Sequence, residues 1–139
     1  MPAGNALVAA ILRSPLHRVL SGAVGLVRYE GRRSGRTFTT PIQYALPGDG
    51  RLVIMVGQPE AKRWWRNFVE PHDLEVLVRG TWRPMRGVAV RGAADPSEAR
   101  ALLDAYVARF PKAGRTLGEG SEDDRIARAV LVRCDPRPA

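Results

Sequence analysis

The chain has 139 residues, a net charge of +8, 45% hydrophobic and 26% charged residues, one cysteine and two histidines. That length and balance suit one folded domain and exclude general disorder. A lone cysteine excludes an internal disulfide, and with only His17 and His72 beside it no thiolate–imidazole metal site can be assembled, so no metal is expected.

From the N-terminus, the apolar run 6–12 is too short to span a membrane and is broken by Arg13 and Pro15. It reads as a short helix over 5–12 followed by a second turn over 16–20, an N-terminal helical segment (1–22) that docks on the domain or touches a membrane surface peripherally. No positive charge precedes the apolar run as a secretory signal requires, and the unpaired Cys134 suits a reduced, cytoplasmic protein.

From residue 23 the pattern turns to strands and forms one domain to residue 139. Segments 25–30 and 36–45 flank a glycine-bounded turn and read as a hairpin. Pro47-Gly48-Asp49-Gly50 is a second turn signal, and the apolar run 52–56 then completes a three-stranded antiparallel meander. Segment 61–68 looks helical, with Trp64, Trp65 and Phe68 as its apolar residues. Strands over 74–78 and 82–90 follow, around a tight Arg79-Gly80-Thr81 turn. Pro96 and Ser97 open an amphipathic helix to about Phe110, on which Ala99, Leu102, Leu103, Tyr106 and Val107 recur at helical spacing. A loop over 111–120, a short helix over 122–129 and a last strand over 130–133 complete an α+β barrel of about six mainly antiparallel strands with helices packed around it.

Two clusters carry chemistry. Gly31-Arg32-Arg33-Ser34-Gly35-Arg36, with Arg28 just upstream, concentrates positive charge at the hairpin tip. Arginine forks match phosphate and carboxylate bidentately, and glycines let backbone N–H groups approach an anion, so the tip is a candidate anion site; a solvated basic hairpin is the alternative. The second cluster is Lys62-Arg63-Trp64-Trp65-Arg66-Asn67-Phe68. Neighbours on a helix lie about 100° apart, so two adjacent tryptophans cannot both face a core. One of them should therefore line a cleft beside Lys62 or Arg66, an aromatic and cationic wall suited to a flat anionic ligand.

The Gly31–Arg36 motif, Pro41-Ile42-Gln43-Tyr44 and Trp64-Trp65-Arg66-Asn67-Phe68, in this order over about residues 26–92, resemble the deazaflavin-dependent nitroreductase family of flavin/deazaflavin oxidoreductases. The resemblance implies an FMN-binding split-barrel-like fold, a site for coenzyme F420, hydride transfer from the reduced cofactor to a small electron-poor acceptor such as a quinone, enone or nitroaromatic, and a homodimer. Carried over by position, Arg32, Arg33, Ser34 and Arg36 would hold the phosphate and tail carboxylates, with Lys62 and Arg63 adding charge. Thr39, Thr40 and Pro41 would run beside the deazaflavin ring, and Trp64 and Asn67 would close its far side. Tyr44 and Tyr106 are candidate catalytic proton donors or substrate-wall residues, with packing in the core the favoured reading of each. The chain departs from the family in the loop 57–63, which lacks the usual serine and second glycine, so FMN stays open as the alternative cofactor. A non-enzymatic carrier or store for F420, FMN or another tailed anionic ligand also remains. A nucleic-acid-binding protein is disfavoured, because the arginines cluster at one hairpin instead of forming a stripe.

Overall fold

The computed structural model describes residues 24–138; the helix over 5–12, the turn over 16–20 and His17 lie outside the described residues. Six strands, β1 (Val24–Glu30), β2 (Thr37–Gln43), β3 (Leu52–Met55), β4 (His72–Val78), β5 (Thr81–Arg91) and β6 (Val130–Pro136), form one sheet in the order β2-β1-β4-β5-β6-β3. Every pairing is antiparallel. The sheet curls into a split β-barrel, with helices α1 (Pro96–Arg109) and α2 (Glu122–Arg128) packed outside it.

The two faces of the strands explain the apolar runs. Leu52, Ile54 and Val56 point into the barrel with Val27, Tyr44, Phe68, Val76 and Val132, whereas Val53 and Leu131 point outward beneath Leu102, Leu103 and Tyr106 of α1. Residues 52–56 are therefore apolar without alternation because both faces of β3 are covered. Cys134 is fully buried inside the barrel, and burial pushes its thiol well above the ordinary cysteine range, which keeps it protonated and inert.

Three expectations are corrected. Strand β3 does not complete a meander: it is bridged to the chain just beyond β2 at Ala45–Val53 and pairs instead with β6 from Leu52–Cys134 to Met55–Leu131. The helix over 61–68 is two 3-10 turns, Pro59–Ala61 and Trp64–Phe68. In that geometry residues i and i+3 eclipse, so Trp65 and Phe68 share the buried face and Trp64 is left half-buried. The loop over 111–120 contains a 3-10 stretch, Pro111–Leu117.

Local chemistry fixes the helices. Asp95 caps α1 by accepting from the Glu98 N–H at 3.1 Å, and Ser121 and Asp124 form a reciprocal capping box on α2. Arg133 of β6 donates to Glu98 at 2.7 Å and also pairs with Asp135, tying the start of α1 to the sheet. Gly92 closes β5 against the end of α2, with its N–H donating to the Ala129 carbonyl at 2.9 Å. A β-carbon at Gly92 would lie 1.7 Å from the Ile126 carbonyl oxygen, a backbone atom that cannot step aside. Gly92→Ala should therefore cost at least about 3 kcal/mol, in the range of severe backbone and overpacking lesions. Urea unfolding of the variant should show a clearly lowered midpoint.

Candidate functional site

The barrel is split because β2 and β3 part company. The Gly31 N–H donates to the Arg36 carbonyl at 2.8 Å, which sets the β1–β2 register so that Phe38, Thr40 and Ile42 bond towards β1. Thr39, Pro41 and Gln43 therefore turn their backbone groups to the other edge. Ala45 belongs to that outward set, and it exchanges two 2.9 Å hydrogen bonds with Val53 of β3. Continuing this pairing would set Gln43 opposite Met55 and Pro41 opposite Gly57, yet no bridge forms at either place. The Val56 N–H bonds to Val130 of β6 at 2.9 Å, which leaves the Met55 and Gly57 backbone groups facing the gap. Proline at position 41 fits such an open edge, since its missing N–H removes no ladder bond.

The gap is a cleft of about 400 Å³ floored by residues 40–43 and 54–57 and walled by Lys62, Trp64 and Tyr106, with Ala113 and Thr116 at its rim. Trp64 is held edge-on over Phe68 at a centroid distance of 6.1 Å. Trp65 is 6% exposed and anchors the segment by donating its indole N–H to the Pro59 carbonyl at 2.9 Å. Thus one tryptophan builds the core and the other faces the cleft beside Lys62. Tyr106 is buried beneath Phe110, and desolvation raises its phenol above the ordinary tyrosine range, so it is a protonated donor at neutral pH. The rim is fastened from α2: Arg125 donates to the Gly114 carbonyl at 2.6 Å and Arg128 to the Leu117 carbonyl at 3.0 Å.

A second depression, of about 570 Å³, shares the same two walls, β2 and the Trp64–Phe68 turn, and is lined by residues 31–34, Phe38, Arg63, Arg66 and Asn67. The loop between β1 and β2 is tightly made, with the Gly35 N–H donating to the Gly31 carbonyl at 2.9 Å, Gly35 at φ 69° and the Arg36 N–H donating to Ser34 Oγ at 3.1 Å. Its arginines do different jobs. The Arg32 fork donates to the carbonyls of Asn67, Glu70 and Pro71 at 2.6, 2.8 and 2.8 Å, while its backbone N–H donates to Asn67 Oδ1 at 3.0 Å. Arg32 is therefore a clamp between the loop and the Trp64–Phe68 turn. Arg33 and Arg36 have no side-chain partner among the described residues and are exposed, as is Arg63. No carboxylate lines this depression.

Of the sequence-predicted residues, the structure gathers Arg32, Arg33, Ser34, Arg63 and Asn67 at the arginine loop and Thr40, Pro41, Lys62, Trp64 and Tyr106 at the cleft. Lys62 and Arg63, expected to act together, face different depressions. Asn67 does not close the far side of the cleft: its amide bonds Arg32 N–H and the Trp64 carbonyl. Thr39 lies on β2 between the two groups, and Arg36 ends the loop outside either lining. Tyr44 lines a separate cavity at the other end of the barrel. Gln43, Met55 and Gly57 were missed, because their contribution is backbone; proline in an otherwise good strand was the available signal of an open edge.

Comparison with known proteins bears on the family and the fold. The Mycobacterium tuberculosis protein named "Putative F420H(2)-dependent quinone reductase Rv3178" is 29% identical over 65 residues, covering 45% of this chain and 55% of that protein, so the chain matches about half the length of this relative. The solved "F420-H2 Dependent Reductase (FDR-A)" superposes with a TM-score of 0.63 at 14% identity, over 82% of this chain and 95% of that one. A chain described as a domain-swapped dimer superposes with a TM-score of 0.61 at 12% identity, over 92% and 99% of the two chains, and at such identities both likenesses show the fold. The family model for F420H(2)-dependent quinone reductase matches residues 13–116, and this chain belongs to that family.

Proposed function

We propose that the protein is an F420-dependent oxidoreductase that passes hydride from the reduced deazaflavin to a small electron-poor acceptor, a quinone in the first place. The observation that carries this reading is the pair of unpaired strand edges facing each other across the split. A flat heterocycle with alternating N–H and C=O groups on its rim can complete both edges, using the groups of Gln43 on one side and Met55 and Gly57 on the other. The arginine loop, reached along the same two walls, would receive the phosphate and carboxylates of the coenzyme's side chain through Arg33 and Arg63 in the depression, with the exposed Arg36 at the end of the loop reaching the same chain from outside the lining. When bound, the reduced deazaflavin supplies the hydride.

The chain's own residues bind, orient and exclude water. Trp64 offers an aromatic wall and Lys62 a positive charge beside it, which favours a ring that becomes anionic on reduction. Tyr106 is the phenol on the cleft, and its raised pKa suits a group that donates a hydrogen bond or proton to the acceptor oxygen. Among the described residues no group of three or more metal-ligating side chains forms, and no nucleophile–base pair lines the cleft. A homodimer is part of the proposal, supported by the similar chain described as a domain-swapped dimer.

Fluorescence titration with F420 and, separately, FMN should show saturable binding of F420 and much weaker binding of FMN, and stopped-flow mixing of the F420H2 complex with menadione should oxidise the cofactor. Tight FMN binding without F420 binding would overturn the cofactor, and F420 binding without turnover would make the protein a carrier. Arginine variants divide the loop's two roles. Arg33→Ala with Arg36→Ala should weaken F420 binding by about tenfold per arginine, from charge-assisted bonds of about 1.5–3 kcal/mol reduced by solvent screening, while leaving the melting temperature unchanged. Arg32→Ala should instead lower the melting temperature, because three carbonyls lose their donor.

A further inference from the structure

The segment from Gly57 to Lys62 carries the cleft's charged wall, yet little of it is held by packing. Gln58, Glu60, Ala61 and Lys62 are exposed, and no residue of the Pro59–Ala61 turn is buried. Gln58 sits in the left-handed region, at φ 51° and ψ 60°. That conformation is uncommon for a residue with a β-carbon, and a following proline disfavours helical backbone further. Such strain persists only where the surroundings impose it. Within the turn, the Ala61 N–H donates to the Gln58 carbonyl at 3.0 Å and the Lys62 N–H reaches the Pro59 carbonyl at 3.4 Å. Among the described residues one further hydrogen bond ties this turn to the barrel. The Trp65 indole N–H donates to that same Pro59 carbonyl at 2.9 Å.

Trp65 is a firm point for such a tie. Its ring is packed in the barrel core, and the guanidinium groups of Arg66 and Arg91 lie 5.6 and 6.0 Å from its centroid. In the held turn Lys62 folds back on the cleft. Its ammonium lies 3.9 Å from where a β-carbon on Gly57 would stand, and both residues line the cleft. A turn with no buried residue has nothing else in the core to keep it in place once the indole bond is lost. Released, the long Lys62 side chain would swing into water, where its charge acts on the cleft from further away and is screened.

We propose that Trp65 is a positioning residue for the cleft. Through the Pro59 carbonyl it holds the strained 57–62 turn, and so keeps the Lys62 ammonium where it attracts an anionic cofactor. Trp65 does not line the cleft, so it acts through Lys62 and touches no ligand itself. Its indole N–H carries the positioning role, while the bulk of its ring is a separate contribution to the core. Phenylalanine at this position keeps an aromatic ring and removes the donor, which divides the two. The effect on the cofactor rests on the F420 reading; the anchoring of the turn does not.

Amide hydrogen exchange on the ligand-free full chain tests the anchor alone. Trp65→Phe should speed exchange at Ala61 and Lys62 at least threefold, while Val132, paired on both sides in the sheet, keeps its protection. Gln58→Asn suits the left-handed region better and should slow exchange at both amides in the wild-type background, which keeps the test open should the core substitution unfold. Fluorescence titration with F420 then tests Lys62. Lys62→Met and Trp65→Phe should each weaken F420 at least threefold at low salt, and the double variant should bind no more weakly than Lys62→Met. These differences should close at about 1 M sodium chloride, where the screening length is about 3 Å. Trp65→Phe alters no charge, so that salt response marks a displaced cation. Val132→Ala, a lesion of the core, should lower the melting temperature and leave F420 affinity and its salt response as in the wild type. Unchanged exchange at Ala61 and Lys62, or losses of affinity that add with Lys62→Met, would overturn the proposal. A wild-type chain that binds no F420 would instead overturn the cofactor reading, since exchange tests the anchor without it.

Discussion

Two hydrogen bonds between Ala45 and Val53 hold the edges of the sheet together, and the site exists because that pairing goes no further. A sheet with two free edges invites addition of another strand, a hazard proteins usually manage by covering, charging or closing the edge. Here the free edges face each other across a gap. Pro41 removes a donor from one edge, and α1 with the Pro111–Leu117 stretch covers the outer side. The gap therefore keeps polar backbone groups on both rims and an apolar floor between them, a combination suited to a flat, polar-edged ring. In the proposed mode the ring would be fixed by backbone, which side-chain substitution cannot remove, and the surrounding residues would set affinity and acceptor.

The positive charge is divided as carefully as the backbone. Arg32 is engaged with three carbonyls, which fixes the arginine loop against the Trp64–Phe68 turn and keeps the wall and the loop in one relative position. Arg33, Arg36 and Arg63 are exposed and are the residues proposed to meet the ligand. Preorganising the loop with one arginine lowers the ordering cost when the others engage an anion. The chain's net charge of +8 thus includes structural cations, such as Arg32, Arg125, Arg128 and Arg133, beside the exposed arginines of the loop.

Local patterning made much of this legible. The β1–β2 hairpin, the β4–β5 hairpin with its Arg79-Gly80 turn and the capped helix α1 all follow from turn residues and periodicity. The partner of β3 did not, because nothing in Leu-Val-Ile-Met distinguishes the neighbouring β2 from a β6 that lies about eighty residues further on. Consecutive strands pair more often than not, which is why the meander was the natural reading. The Trp64–Phe68 segment was misread in pitch and correctly read in consequence: two adjacent tryptophans had to separate, and Trp65 went to the core. The anion character of the hairpin tip was visible in its arginines and glycines. That Arg32 would be taken by carbonyls of residues 67, 70 and 71 was not, since a carbonyl leaves no mark in a sequence.

In the proposed binding mode a coenzyme ring completes the two open edges of the split. Amide hydrogen exchange, resolved by residue with and without F420, measures this most directly. F420 should slow exchange at Gln43, Met55 and Gly57, whose N–H groups face the gap, and hardly change Phe38, Thr40 and Ile42, which already bond towards β1. Saturating F420 with unchanged exchange at Gln43, Met55 and Gly57 would contradict it, and would place the ring elsewhere on the barrel.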